Sequence, residues 1–339
     1  MEKLESIWQI DERILPEIAS RKYKDYTQEL WRLFQAFRGY LRDYYVNEGS
    51  SLYDDQYIKS NLYKRTLEIK KLMTCYQTGD LMGVDKYLNR FFKVTGNKST
   101  VINSFPTTEI IKNSLFYRCR TKETNNRKDM FHPPFTSRGC IGTNRFSFPG
   151  YPCLYLSTSL ESSLKETIKD ESVASVSAFR NLENIEVFDF RFYPECDCRS
   201  NNLEKQLMAY PFKIAASIPI VEDIDMNKEI VYKEEYIIPQ IMLHAIIRQR
   251  IGKRPIGIFY SSTKAIREKI SRDLFGSHQA IAIPAMSFAK QDYCFQLCNK
   301  FSLTKPISFK DVRNIDFLVY ENDLLKKDFQ QIVPTDKNE

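Results

Sequence analysis

Histidine is scarce in this chain of 339 residues, with three in all, at 132, 244 and 278. They are far apart and never at i, i+4 spacing, so an imidazole-rich metal site has almost no ligands to draw on and no metal is expected. A Ser-His-Asp or Cys-His mechanism would hang on one of three rings. Glycine is also low, at 11 residues. Neither GxxxxGK[ST] nor GxGxxG occurs, which sets aside P-loop NTPases and Rossmann dehydrogenases, and there is no GxSxG elbow. Long hydrophobic runs are missing too. The longest, from Tyr236 to Ile247, contains Pro239 and His244 and falls short of the ~20 residues a bilayer span requires. No membrane association is expected. The opening MEKLESIWQIDERILPEIAS carries charges where the apolar centre of an export signal would lie. The cytoplasm is therefore the expected compartment, with thiols reduced. Of the eight cysteines, Cys196/Cys198 and Cys294/Cys298 are close together. Neither pair has a CxxC…CxxC zinc spacing, and both read as packing.

What the chain has in quantity is aromatic rings: 20 Tyr, 23 Phe and 2 Trp. Apolar residues at 42% and charged residues at 27% suffice for a sizeable core and a solvated surface, which excludes wholesale disorder. The net charge of +7 is spread without any long basic run, so it reads as ordinary surface and nucleic acid is not an expected partner. Nucleotide phosphates would need only two or three of these charges.

From Ile18 to about Val94 the periodicity is helical, with Leu30, Trp31, Phe34, Phe37, Leu41 and Tyr45 in one stripe and two further stripes over 56–78 and 80–92. Residues 47–51 read as a loop, and the small polar run 95–100 as a boundary. Thr107-Thr108-Glu109 has the character of a helix cap before Ile110, Ile111 and Leu115. Beyond it the pattern becomes strand-like over 114–120, 152–156, 186–190, 255–260 and 280–284, interleaved with helical patterns over 160–169, 205–217, 234–250 and 263–275. Irregular alternation of this kind implies an α+β fold. The expected division is a helical domain over 1–105, a second domain over 106–325 and a polar tail over 326–339.

One block stands out. Met130-Phe-His-Pro-Pro-Phe135 is followed by Gly142-Thr-Asn-Arg-Phe-Ser-Phe-Pro-Gly150, then Pro152-Cys-Leu-Tyr-Leu-Ser157, with Glu166 on the next helix. This places a guanidinium, aromatic faces and a carboxylate on neighbouring elements, which suits cleavage of a glycosidic bond in a dinucleotide. With the early arginine of Phe116-Tyr-Arg-Cys-Arg120 and the late Gly257-Ile-Phe-Tyr-Ser-Ser262, the order of blocks over about 114–310 resembles the RES-domain family, named for Arg, Glu and Ser. The likeness is to its longer members, which carry an N-terminal helical extension.

The resemblance implies an ADP-ribosyltransferase-like fold with a mixed or antiparallel sheet, and a toxin or defence effector that consumes NAD+ by breaking the nicotinamide N-glycosidic bond. The acceptor would be inorganic phosphate as co-substrate, or water; the alternative is mono-ADP-ribosylation of a macromolecule. NAD+ enters as substrate, and no resident cofactor is implied. Carried over by position, Arg118, with Arg120 as neighbouring candidate, and Arg145 would grip the pyrophosphate or an attacking phosphate. Tyr155 would line the nicotinamide–ribose end, and Glu166 would stabilise an oxocarbenium-like transition state. Ser262 would anchor the substrate, with Ser261 as fallback should the register slip by one. Phe146 stands where the family commonly has Tyr or Trp, keeping a stacking ring but no hydrogen bond. His132, in the MFHPPF loop that short members lack, reads as a lid residue near the substrate. Glu161 shares the helix with Glu166, and the spacing from Tyr155 selects Glu166.

An antitoxin or regulatory protein is an implied partner. Helical extensions of this kind resemble HEPN bundles, but residues 1–131 hold no histidine, so an RxxxxH ribonuclease site is absent. The helical part is expected to be a scaffold, a sensor or a unit of homo-oligomerisation.

Overall fold

A computed structural model describes residues 2–48, 55–91, 105–168, 173–194, 202–221, 232–248, 255–286, 292–309 and 317–333. They form two compact units. The first is Met1–Pro106 with Asp189–Ala245 and Ala265–Arg272, and the second is Thr107–Phe188 with Ile246–Lys264 and Asp273–Glu339.

The first unit is helical. It holds α1 (Glu2–Ala19), α2 (Tyr26–Glu48), α3 (Asp55–Gln77) and α4 (Leu81–Phe91), together with α7 (Asn202–Ser217) and most of α8 (Ile237–Ile247). Ile7, Ile10, Ile14 and Ile18 recur at steps of three and four and are buried along α1. Most of that helix precedes Ile18, where the sequence reading begins the helical periodicity. In α2, Phe34 and Phe37 are buried as their stripe requires, whereas Trp31 is half-buried with the Lys70 ammonium 5.0 Å from its ring. Gly79 turns the chain from α3 to α4 at φ +75°, a conformation that a side chain would strain.

Helix α7 belongs to this unit by its contacts. Tyr210 stacks on Phe37 at 4.4 Å and Phe212 meets Phe91 edge-on at 4.9 Å. The buried Asp11 carboxylate accepts from Tyr193 N at 2.7 Å, Tyr210 Oη at 2.5 Å and Lys213 Nζ at 3.2 Å. Burial raises the Asp11 pKa and lowers that of Lys213, so the pair is held by its full set of hydrogen bonds rather than by charge alone. A single cut at 105/106 assigns α7 to the second segment; by compactness residues 189–245 pack with the N-terminal helices. The polar run 95–100 and the pair Cys196/Cys198 lie outside the described residues.

The second unit is built on one sheet of ten strands in the order β1 (Thr107–Ile110), β5 (Ile185–Phe190), β6 (Ile258–Ser261), β7 (Gln279–Pro284), β3 (Cys153–Ser157), β2 (Leu115–Arg120), β4 (Ala174–Asn181), β8 (Phe301–Thr304), β10 (Phe329–Gln331). The short β9 (Ile307–Phe309) pairs with β4 beyond the end of β8. Most ladders are antiparallel. Between β5 and β6 the bonds Ile256 N to Glu186 O and Phe188 N to Gly257 O advance together along both chains, which makes the sheet mixed.

One face, with Phe116, Leu154, Leu156, Phe179, Ile281 and Ile283, packs against α5 (Arg127–Met130), the 3-10 turn Phe135–Cys140 and α11 (Phe295–Lys300). The other, with Tyr117, Cys119, Val176 and Ala178, is covered by α6 (Leu160–Thr167) and α12 (Phe317–Leu325). The architecture is α+β, with α1–α4 ahead of the sheet.

Three elements depart from the sequence reading. Thr107–Ile110 is a strand paired with β5, not a capped helix; the cap-like chemistry is local, whereas the partner strand lies some eighty residues away. The helix expected over 263–275 is two, α9 (Thr263–Arg267) and α10 (Arg272–Phe275), separated where Lys269 adopts φ 54°. The segment drawn as a polar tail from 326 contributes β10, where Phe329 lies opposite Thr304 and beneath the Arg180 guanidinium at 4.2 Å.

Gly257 marks a point where two strands leave no room. A Cβ there would stand 2.7 Å from Ala282 O and 3.0 Å from Ile283 Cγ1. Gly257→Ala should therefore destabilise the protein by about 1–3 kcal/mol, as overpacking does. A denaturant melt checks this, and an unchanged midpoint would show that β6 and β7 can part without cost.

Candidate functional site

The sequence of β3 alternates, so Leu154 and Leu156 enter the core while Tyr155, half-buried, points to the opposite face. The ladder between β2 and β3 is a single pair, Tyr117 with Ser157. Where the strands part, the Tyr155 carbonyl accepts from Arg118 Nη1 at 3.0 Å. Arg118 is 8% exposed, and its Nε has no hydrogen-bond partner. Burial, then repulsion from Arg120, holds its pKa well below the ordinary arginine value. Arg120 donates through Nη2 to Phe131 O at 3.0 Å, and its buried Nε is likewise unpartnered. Two guanidiniums thus lie together in low dielectric with donors unspent, a costly arrangement that an anion would relieve.

The loop 142–150 folds onto the other side of β3. Gly150, at φ +75°, closes it through Gly150 N to Ile141 O at 2.9 Å. Its three central residues make three successive contacts. Arg145 Nη2 donates to Thr263 Oγ1 at 3.5 Å, the Phe146 ring packs on Tyr260 at 4.4 Å, and Ser147 Oγ accepts from Tyr155 Oη at 3.0 Å. Burial raises the Tyr155 pKa well above the usual phenol value, so the hydroxyl stays protonated as a donor. Phe146 is wholly buried. The half-buried ring at this point is its partner Tyr260.

Helix α6 follows β3 directly. Ser159 caps it, accepting from Ser162 N at 3.1 Å and donating to Ser277 O at 2.6 Å. Leu160 and Leu164 anchor it to the sheet, which leaves Glu166 exposed near its end. Ser262 Oγ donates to Glu166 Oε1 in a short hydrogen bond. Glu161 instead pairs with Lys165 at 2.8 Å across one turn, an ordinary surface pair. Of the two adjacent serines, Ser262 reaches the carboxylate, while Ser261 lies in the β6–β7 ladder opposite Gln279.

The structure therefore gathers Arg145, Tyr155, Glu166 and Ser262 through a short chain of contacts, with Arg118 joined to the Tyr155 backbone. His132 stands apart. It is fully buried among Phe131, Phe135 and Tyr293, with Nε2 accepting from Cys294 N at 2.9 Å and Nδ1 donating to Pro133 O at 2.7 Å. Both nitrogens are spent on backbone, so the ring staples its loop to the segment before α11 rather than forming a lid. Sequence reasoning singled out neither Ser147, Tyr260 nor Thr263. The first two lie inside quoted motifs, and Thr263 follows one directly. Among the described residues no three His, Cys, Asp or Glu side chains gather as metal ligands, and no helix is long and apolar enough to cross a membrane.

Residues 115–269 match the sequence model of the RES domain. The chain carries a RES domain. Arg118, Arg145, Tyr155, Glu166 and Ser262 all fall inside it, whereas β8–β10 and α12 lie beyond its end. The chain is also 31% identical over 211 residues to a Bacillus subtilis (strain 168) protein named "Putative toxin YopC". That likeness covers 58% of this chain and 46% of the relative, so the match spans about half the relative's length. No solved structure matches.

Burial holds the His132 pKa at about 4, against 6.5 when unfolded. The unfolded chain thus takes up a proton between these values that the folded RES domain refuses. Stability is present in full above pH 6.5 and lost as pH falls toward 4, by up to about 3 kcal/mol. Urea melts at pH 7, 5.5 and 4.5 should show this loss in the wild type and its reduction in His132→Gln. Parallel curves would assign the acid sensitivity to other groups.

Proposed function

We propose that this protein cleaves the nicotinamide N-glycosidic bond of NAD+ and acts as a toxin or defence effector. The observation that carries the reading is the pair of adjacent residues Ser262 and Thr263, one holding the Glu166 carboxylate and the other the Arg145 guanidinium. An anion-binding fork and a carboxylate held side by side suit a substrate with a pyrophosphate at one end and a ribose developing positive charge at the other. In this reading Arg145 and Arg118, with Arg120 as the neighbouring cation, take phosphate oxygens. Tyr155 lines the nicotinamide ribose and Ser262 orients Glu166. The bond from ribose C1′ to the pyridinium nitrogen breaks, nicotinamide leaves with the bonding pair, and an oxygen of phosphate or water forms the new bond to C1′. Glu166 stabilises the intervening oxocarbenium character.

The RES domain and the name of the Bacillus subtilis relative support the toxin part of the reading. The exposed position of Glu166 also leaves room for a macromolecular acceptor, which is the alternative as a mono-ADP-ribosyltransferase. An antitoxin or other regulatory partner, and self-association through the helical unit, belong to the same proposal.

Purified protein incubated with NAD+, with and without inorganic phosphate, should release nicotinamide, followed by NMR. The mass of the other product distinguishes ADP-ribose, its 1″-phosphate and a modified macromolecule. Folded protein with no turnover under any condition would overturn the reading. Glu166→Gln should lower the rate by roughly 10²–10³ at nearly unchanged stability, the scale of losing one preorganised charge.

A further inference from the structure

We propose that Lys264 is a positioning residue for Glu166. Its ammonium closes the C-terminal end of α6 and so fixes where the carboxylate stands. The activity arm of this proposal rests on the reading of Glu166 given above; the structural arm does not.

Helix α6 has only eight residues, too few to hold themselves by their own hydrogen bonds, since isolated helices below ~12 residues are marginal in water. It is tied down at both ends instead. At the start the Ser159 hydroxyl donates to Ser277 O. At the finish the last carbonyls have no intrahelical donors. Leu164 O is met by Ile168 N at 2.9 Å, and Lys165 O by Lys264 Nζ in a short hydrogen bond. A cation at this end also complements the helix dipole.

Glu166 is the next residue, and the planar peptide joining it to Lys165 carries that constraint to its Cα. Lys264 follows Ser262 by two positions, and Ser262 holds the Glu166 side chain. Backbone and carboxylate of one glutamate are thus gripped from one tripeptide, Ser262-Thr263-Lys264, whose middle residue meets Arg145. Removing the ammonium leaves Ser262 to hold the carboxylate alone on a frayed turn.

Lys264→Met keeps most of the aliphatic stem and deletes the charge and donors. It should lower kcat for nicotinamide release about tenfold with KM changed less than about twofold, because misplacement of a catalytic group costs rate rather than affinity. Lys264→Arg should restore most of the rate. In a Glu166→Gln background, Lys264→Met should cost nothing further. A full additional loss there, or a loss carried by KM, would overturn the proposal.

Independently of any activity, amide hydrogen exchange in the last turn of α6 should rise in Lys264→Met while the global melt stays in place; unchanged exchange would also overturn it. Should Met not fold, Lys264→Gln serves the same comparison. A wild type that turns over no NAD+ would refute the proposed function, and the exchange measurement would still decide the role of Lys264.

Discussion

The parting of β2 from β3 after a single ladder pair is the constraint on which the site depends. Two strands that stayed paired would satisfy the Tyr155 carbonyl with a backbone amide. Separated, they leave it to the Arg118 guanidinium, which enters the gap and is buried there. By strand alternation Tyr155 turns its hydroxyl to Ser147, which ties down the loop carrying Arg145. A buried cation with unspent donors and no carboxylate beside it is expensive in a folded protein. An anion bound there would offset that cost and stabilise the fold by mass action.

Much of this was legible in the sequence because it lies in alternating strands and short motifs. The runs at 114–120, 152–156 and 280–284 alternate or are apolar enough to declare themselves, and they appear as β2, β3 and β7. Spacing selects Glu166 over Glu161, and in the structure Glu161 pairs with Lys165 while Glu166 meets Ser262. What was not legible depends on distant partners. Strand β4 carries Ser175 and Ser177 where apolar residues would have announced it; Ser175 earns its burial by bonding to Lys122 O, Thr124 N and Ser308 Oγ. Helix α7 shows a helical period, but nothing in that period says that its stacking partner is Phe37. His132 reads as a lid residue because of the MFHPPF loop that carries it, yet its ring offers one donor and one acceptor to backbone groups inside an aromatic cluster.

The aromatic excess divides between the two units in different uses. In the helical unit rings build the core, as Phe37 on Tyr210 and Phe91 on Phe212 show. In the sheet unit they also stand beside polar groups, since Phe146, next in sequence to Arg145, packs on Tyr260, two residues before Ser262. Phe146 is fully buried, and its partner Tyr260 supplies the half-exposed ring at this point.

Scarce histidine then has a chemical meaning as well as a compositional one. The imidazole of His132 is committed to backbone and kept neutral by burial, and the groups gathered around Tyr155 are guanidiniums, a phenol held protonated, a hydroxyl and a carboxylate. Breaking a bond to pyridinium asks for no proton on the leaving group, because nicotinamide departs neutral once it takes the bonding pair. On the proposed function, fixed charge and oriented donors would suffice for that chemistry, whereas amide hydrolysis would ask for a general acid to protonate its leaving group.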